Sequence, residues 1–151
     1  NAKLFKPGNY FSFMKFKFLE KVAIADIAFE AYGKNLEELF TNVAMAVAET
    51  MAEVKTVEAK IKKEIKLENE KIDGLLFDFV GELIYLKDKD AFVFNKFEID
   101  VKNGKLKAVC YGDKINMKKQ TLRNDVKAIT YHMYKVEKVK EGYKATIVLD
   151  V

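Results

Sequence analysis

Hydrophobic and polar positions alternate or recur along this chain in ways that mark out most of its elements. Phe16 and Phe18 alternate with lysines, which predicts a strand with one buried face. A second strand is expected from Ile27 to Tyr32, closed by Gly33. Asn35 then offers a side-chain oxygen three residues ahead of Glu38, the arrangement of a capping box. Behind it Leu36, Leu39, Phe40, Val43, Val47 and Met51 recur at three- and four-residue spacing, so a helix with one apolar stripe should run to about Ala52. Val57 to Leu67 alternates apolar and charged residues with one slip in phase, which suggests an amphipathic strand containing a bulge. Asp73 can cap a second helix whose core face is Leu75, Leu76, Phe79, Val80, Leu83 and Ile84.

Beyond Asp90 the pattern is that of strands. Phe92 to Val101 and Lys105 to Tyr111 flank Asn103-Gly104, the dipeptide best suited to a two-residue hairpin turn. A polar connection from Gly112 to Asn124 leads to a strand from Val126 to Val139, and Glu141-Gly142 turns the chain into a last strand, Tyr143 to Val151. Two main helices among hairpin-linked strands predict an α+β fold of two layers, with mixed or antiparallel sheet. Residues 1–13 hold the only proline, Pro7, and lack this pattern. They read as a leader or disordered extension ahead of Met14, leaving 14–151 as one domain.

Composition narrows the function classes. No apolar run approaches the roughly 18–20 residues that span a bilayer, so the expectation is a soluble, cytoplasmic protein with no membrane partner. Cys110 is the only cysteine and sits among apolar neighbours, which excludes an internal disulfide and a cysteine zinc cluster and makes it a small buried hydrophobe. A net charge of +4 invites a nucleic-acid reading. Against it, Arg123 is the only arginine, and the lysines of Lys60 to Glu68 are interleaved with glutamates, as on a solvated face.

His132 is the only histidine, too few for a histidine metal site or a conventional serine triad, and no glycine-rich phosphate loop is present. Two aspartates stand out instead. Asp26 lies within Val22-Ala23-Ile24-Ala25-Asp26-Ile27-Ala28-Phe29, and Asp150 interrupts Thr146-Ile147-Val148-Leu149-Asp150-Val151. A carboxylate in apolar company is costly unless it is hydrogen-bonded, paired or bound to a cation. Pattern alone favours the plainer outcome, in which each caps a turn or pairs with a lysine. With the carboxylate at Val151 the set would suit a hard cation such as Ca²⁺ or Mg²⁺ better than zinc.

Several of these segments together resemble the archease family. Ala25-Asp26-Ile27 followed by Leu36-Glu37-Glu38-Leu39-Phe40 is similar to the opening of archeases, whose signature is His-Thr-Ala-Asp-Ile. Lys127-Ala128-Ile129-Thr130-Tyr131-His132 resembles the family's Lys-Ala-Val-Thr-Tyr-His block, and Val148-Leu149-Asp150-Val151 its terminal Val-Leu-Asp-Val. The stretches Phe92-Val93-Phe94 and Lys107 to Gly112 also fit, so the likeness runs from about Lys15 to Val151. One departure is that Ala23-Ile24 stand where the family has His-Thr.

The resemblance implies a non-enzymatic accessory protein of tRNA splicing. Such a protein activates an RNA ligase of the RtcB type, which joins RNA ends using GTP and a divalent metal, by promoting its guanylylation and multiple turnover. Carried over, Asp26, Asp150 and Val151 would hold a divalent cation, Ca²⁺ ahead of Mg²⁺ or Mn²⁺, and Lys127 would be a functional lysine nearby. His132 stays outside that set. The partner would be the ligase, with tRNA touched at most indirectly. The alternative is an RNA-binding or chaperone-like module acting on tRNA-processing enzymes, and a stand-alone metal-dependent hydrolase is a further rival.

Overall fold

The computed structural model of the protein describes residues 15–19 and 25–151. The expectations about residues 1–13 and about Ala23-Ile24 lie outside the described residues. The chain folds in the α+β manner expected, and every pairing between its strands is antiparallel. Among the described residues, one sheet has four strands in the order β1 (Phe16–Phe18), β2 (Asp26–Gly33), β7 (Gly142–Asp150), β6 (Ala128–Val139). The other has three, in the order β3 (Ile61–Glu68), β5 (Lys105–Lys114), β4 (Phe92–Lys102).

Helix α1 (Leu36–Met51) starts as its sequence demands: the Asn35 side chain accepts from the Glu38 N–H at 2.8 Å. The Glu38 carboxylate reaches back to the Lys34 N–H at 3.3 Å, one residue earlier than a standard capping box. Its stripe of Leu39, Phe40, Val43, Val47 and Met51 is buried. The helix touches β2 of one sheet and β4 of the other, so the core lies between the sheets with α1 joining them. Helix α2 (Ile72–Asp90) buries all six expected core residues, each contributing about 1.5–3 kcal/mol if fully removed from water. Its start differs from the sequence reading. Lys71 occupies the cap position without a side-chain bond, the Asn69 side chain accepts from the Lys71 N–H at 3.0 Å, and Asp73 lies in the first turn.

Two strand expectations are corrected. Val54–Thr56 forms a short 3-10 turn, and the strand that follows begins at Ile61 rather than Val57. It contains no bulge, since all eight of its residues pair in unbroken register with β5. The apparent slip is Lys63 on the inward-facing set with Ile61, Ile65 and Leu67; its ammonium meets Asp90 at 3.1 Å. The bulge in this sheet is at Asn95 instead, whose amide donates to Val57 O at 2.6 Å. The hairpin turn matches expectation: Asn103 and Gly104 have φ of 52° and 74°, the left-handed pair that a twisted two-residue turn requires.

Strand β5 runs on to Lys114, which shortens the polar connection, and the next strand starts at Ala128 rather than Val126. That strand is interrupted. Thr130 pairs with Val148 and Lys135 with Thr146, so Tyr131 to Tyr134 together stand opposite the single residue Ile147.

Candidate functional site

The inward side of the four-stranded sheet carries Phe29, Ala31, Ala145, Ile147 and Leu149, all in the core. Because side chains alternate along a strand, the residues between them share the opposite face: Asp26, Ala28 and Glu30 from β2, and Thr146, Val148 and Asp150 from β7. Within that face the register sets Asp26 directly opposite Asp150, with Ala128 of β6 on the other side of Asp150. Side chains so opposed have Cβ atoms about 4.5–5.5 Å apart.

Two backbone bonds tie the remaining sequence-identified residues to this pair. Val151 N–H donates to Ala25 O at 2.9 Å, and Lys127 N–H donates to Asp150 O at 2.8 Å. Asp26, Asp150, Val151 and Lys127 are therefore brought to one end of the sheet, on three adjacent strands. Both aspartates are half-buried, and Ala28 and Val148 in the next row are fully buried, so one flank of the pair is apolar.

Among the described residues neither Asp26 nor Asp150 has a side-chain hydrogen bond or an ion pair. Like charges directly across a strand pair repel. Glu30, farther along the same face, shows the contrast: it accepts from Tyr32 Oη at 2.8 Å and pairs with Lys144 at 3.2 Å and Lys17 at 3.4 Å. Burial would raise its pKa, yet the bonds from Tyr32 and Lys144 and the charges of Lys144 and Lys17 prevail and hold the carboxyl below its ordinary range.

The donor chemistry fits a hard cation. Two carboxylates and an oxygen of Val151 offer oxygen only, with no thiolate or imidazole beside them. Among the described residues no three side chains of His, Cys, Asp and Glu gather into a cluster. His132 is exposed on the interrupted part of β6, away from the pair. The Cys110 thiol is fully buried and burial pushes its pKa to about 12, which suits the hydrophobe expected and no nucleophile.

One ionic site escaped the sequence reading. Lys87, buried on the inner side of α2, pairs with Asp88 at 2.6 Å and also with Asp125 in the connection before β6. Burial opposes its charge, but the hydrogen bonds it donates to Asp125 and Asp88, with the charges of those carboxylates, outweigh it and the Lys87 pKa is raised. Asp125 is correspondingly lowered, by the Lys87 hydrogen bond and charge and then by the charge of Lys127. Lys127 is exposed, and its charge reaches Asp125.

The chain is thus an α+β protein with an opposed aspartate pair at one sheet end and Lys127 beside it. Comparison with known proteins makes the class specific. Residues 16–151 match the model of the archease protein family (MTH1598/TM1083), and the chain belongs to that family. It is 39% identical over 132 residues to the protein archease of Pyrococcus abyssi, covering 84% of this chain and 93% of the relative. With the protein archease of Sulfurisphaera tokodaii it shares 38% identity over 139 residues, covering 91% and 99%. The solution structure of Methanobacterium thermoautotrophicum protein 1598 superposes with a TM-score of 0.74 at 32% identity, covering 91% of this chain and 99% of that one. A Thermotoga maritima crystal structure, described as an archease and possible chaperone, shares the fold at a TM-score of 0.64 and 24% identity, covering 88% and 98%. Among the described residues no helix is long and apolar enough to cross a membrane.

Proposed function

We propose that this protein serves as an archease-type accessory factor that activates an RNA ligase of the RtcB type in tRNA splicing, promoting its guanylylation and repeated turnover, without itself being an enzyme. The observation that carries the reading is the Asp26–Asp150 pair, opposed across two strands without a partner among the described residues, beside Lys127. In this reading Asp26, Asp150 and an oxygen of Val151 hold a divalent cation, Ca²⁺ ahead of Mg²⁺ or Mn²⁺. A bound ion of that kind supplies positive charge that can face phosphate oxygens. The protein's part is to keep the two carboxylates at fixed spacing on a rigid sheet end and to set them on an apolar floor. Lys127 presents a further positive charge from an exposed strand end, as a point charge rather than a bidentate fork.

Membership of the archease family supports the accessory role in its coarser form. The test is a multiple-turnover ligation assay with the cognate ligase, with and without this protein, paired with calorimetric titration of Ca²⁺ and Mg²⁺. Asp26→Ala and Asp150→Ala should each lose cation binding while staying folded. Lys127→Ala should keep cation binding and lose stimulation of guanylylation. Unchanged titrations in both aspartate variants would remove the cation site, and full stimulation by Lys127→Ala would return that residue to the solvated surface. RNA affinity that falls steeply with salt and needs no ligase would favour the RNA-binding module instead.

A further inference from the structure

The interrupted stretch of β6 does something the regular strand could not. Opposing four residues to one leaves Tyr131, His132 and Met133 exposed, with Tyr131 and Tyr134 set against α2. Tyr131 is 76% exposed although it is a large aromatic, and its inner face lies flat on Phe77 of α2, with ring centroids 4.1 Å apart and planes 6° off parallel. Tyr134 fastens the excursion: it meets Phe77 edge-on at 5.2 Å and donates its hydroxyl to Asp73 O at 2.6 Å. Met133, 48% exposed, holds a φ of 58°, a left-handed conformation costing about 1–2 kcal/mol in a residue with a side chain. The outer ring face of Tyr131 is thus held open, in a fixed position, by a segment that packing and a hydrogen bond lock in place.

The surroundings say what that face can receive. Along α2 the stripe Phe77, Gly81, Tyr85 continues the patch; Tyr85 is 54% exposed and Gly81 leaves open space between the two rings. Tyr85 already carries a cation over its ring, Lys89 Nζ at 5.8 Å, whereas among the described residues none stands over Tyr131. In a chain of net charge +4, this part of the helix carries carboxylates: Asp78, exposed and accepting from Asn69 Nδ2 at 3.2 Å, follows Phe77, and Glu82, half-buried, follows Gly81. A nucleobase could stack on Tyr131, but its phosphates would meet those carboxylates. A guanidinium stacks on an aromatic ring equally well and donates to carboxylates in the same plane.

We infer that the face formed by Tyr131, Met133, Phe77 and Tyr85 docks a basic segment of a partner protein, with an arginine side chain stacked on Tyr131 and held by Asp78 and Glu82. This goes beyond the cation-site reading and does not depend on it. Exposed apolar surface of this kind, with carboxylates beside Tyr131 and a lysine only at its Tyr85 end, marks protein–protein contact.

The probe is a short fluorescein-labelled peptide carrying arginines among leucines and serines, followed by anisotropy at low salt. Comparators are the same peptide with glutamine for arginine and a labelled oligouridylate. The arginine peptide should bind; Tyr131→Ala should weaken it about tenfold, roughly the weight of a desolvated cation–π contact, and Asp78→Lys should weaken it at least as much. Lys107→Ala on the other sheet should change nothing, and Ca²⁺ titration should be the same for Tyr131→Ala as for the wild type. The inference is overturned if the arginine peptide fails to bind, if glutamine peptides bind equally, or if Tyr131→Ala is silent. Tighter, Tyr131-dependent binding of the oligouridylate would assign the face to RNA.

Discussion

The two sheets of this protein are built from the same residue types and treat charge in different ways. On the outward side of the three-stranded sheet, Lys96 lies over the Tyr111 ring at 4.7 Å and the Tyr111 hydroxyl donates to Glu98 at 2.7 Å. Its inward lysine, Lys63, has Asp90 as partner, and its pairing with β5 is unbroken from Ile61 to Glu68. The four-stranded sheet neutralises Glu30 just as thoroughly, then leaves Asp26 and Asp150 facing each other and shifts register by three residues between Thr130 and Lys135. Irregularities of both kinds, opposed like charges and a left-handed methionine, work against folding. The three-stranded sheet has opposed lysines too, Lys66 against Lys107, but Asp100 stands on the other side of Lys107, whereas the opposed aspartates have no side-chain partner among the described residues. We accordingly place the proposed interacting surfaces on the four-stranded sheet.

The sharpest way to test that division is to compare the two faces of the four-stranded sheet. Ile147 is fully buried on the inward face, and Ile147→Ala should cost about 2–5 kcal/mol in denaturant unfolding. Asp26→Asn on the outward face, in chelator-treated protein, should be neutral or slightly stabilising, because it removes a like-charge opposition worth up to about 1 kcal/mol. Added Ca²⁺ should then raise the stability of the wild type and leave Asp26→Asn unmoved. A large loss from Asp26→Asn without cation would make the aspartate structural and dissolve the contrast.

What could be read ahead of the structure follows the same line. Elements set by local chemistry were legible: the Asn35 cap, the apolar stripes of both helices and the Asn103-Gly104 turn all act within a few residues of themselves. Asp26 and Asp150 were visible as carboxylates in apolar company, but their opposition depends on the register between segments more than a hundred residues apart. Lys63 read as a slip in phase because pattern cannot show that Asp90, across the fold, satisfies an inward lysine. Tyr131 to Tyr134 read as plain strand because alternation is blind to an insertion that α2 holds in place. The division into two sheets was likewise unreadable, being a matter of which distant strands pair.

A smaller effect, of opposite sign in the two sheets, should come from glycine. Gly104 has φ 74° and a Cβ there would lie 2.9 Å from Asn69 O, so Gly104→Ala should destabilise the three-stranded sheet by about 1–2 kcal/mol. Met133→Gly should do the reverse: relief of the left-handed strain exceeds the added chain entropy, for a net gain of about 0.5–1 kcal/mol. Thermal unfolding of both variants measures the pair. A loss from Met133→Gly would mean that its side chain, not the partner surface, justifies the conformation.

The smallest effect separates Glu30 from the aspartates on its own face, and pH is the variable that reveals it. The Glu30 side chain is 16% exposed, and its partners Lys17 and Lys144 are each 31% exposed, so solvent screens the pairs and Glu30→Gln should cost about 1 kcal/mol or less at pH 7. The folded carboxyl titrates below its ordinary value of 4.5. A depressed folded pKa means that the native state binds its proton less readily than the unfolded chain does, so the contribution is complete above about that ordinary value and is lost as pH falls through the folded one. Wild type and Glu30→Gln should therefore differ by a constant amount from neutral pH down to about 4.5 and converge below it. Salt should shrink the difference at pH 7, since Lys17 and Lys144 act in part through charge. Urea unfolding across this range provides the measurement. A difference that widens on acidification would mean that burial, and not Tyr32 and the two lysines, governs Glu30, and the four-stranded sheet would then hold a third uncompensated carboxylate.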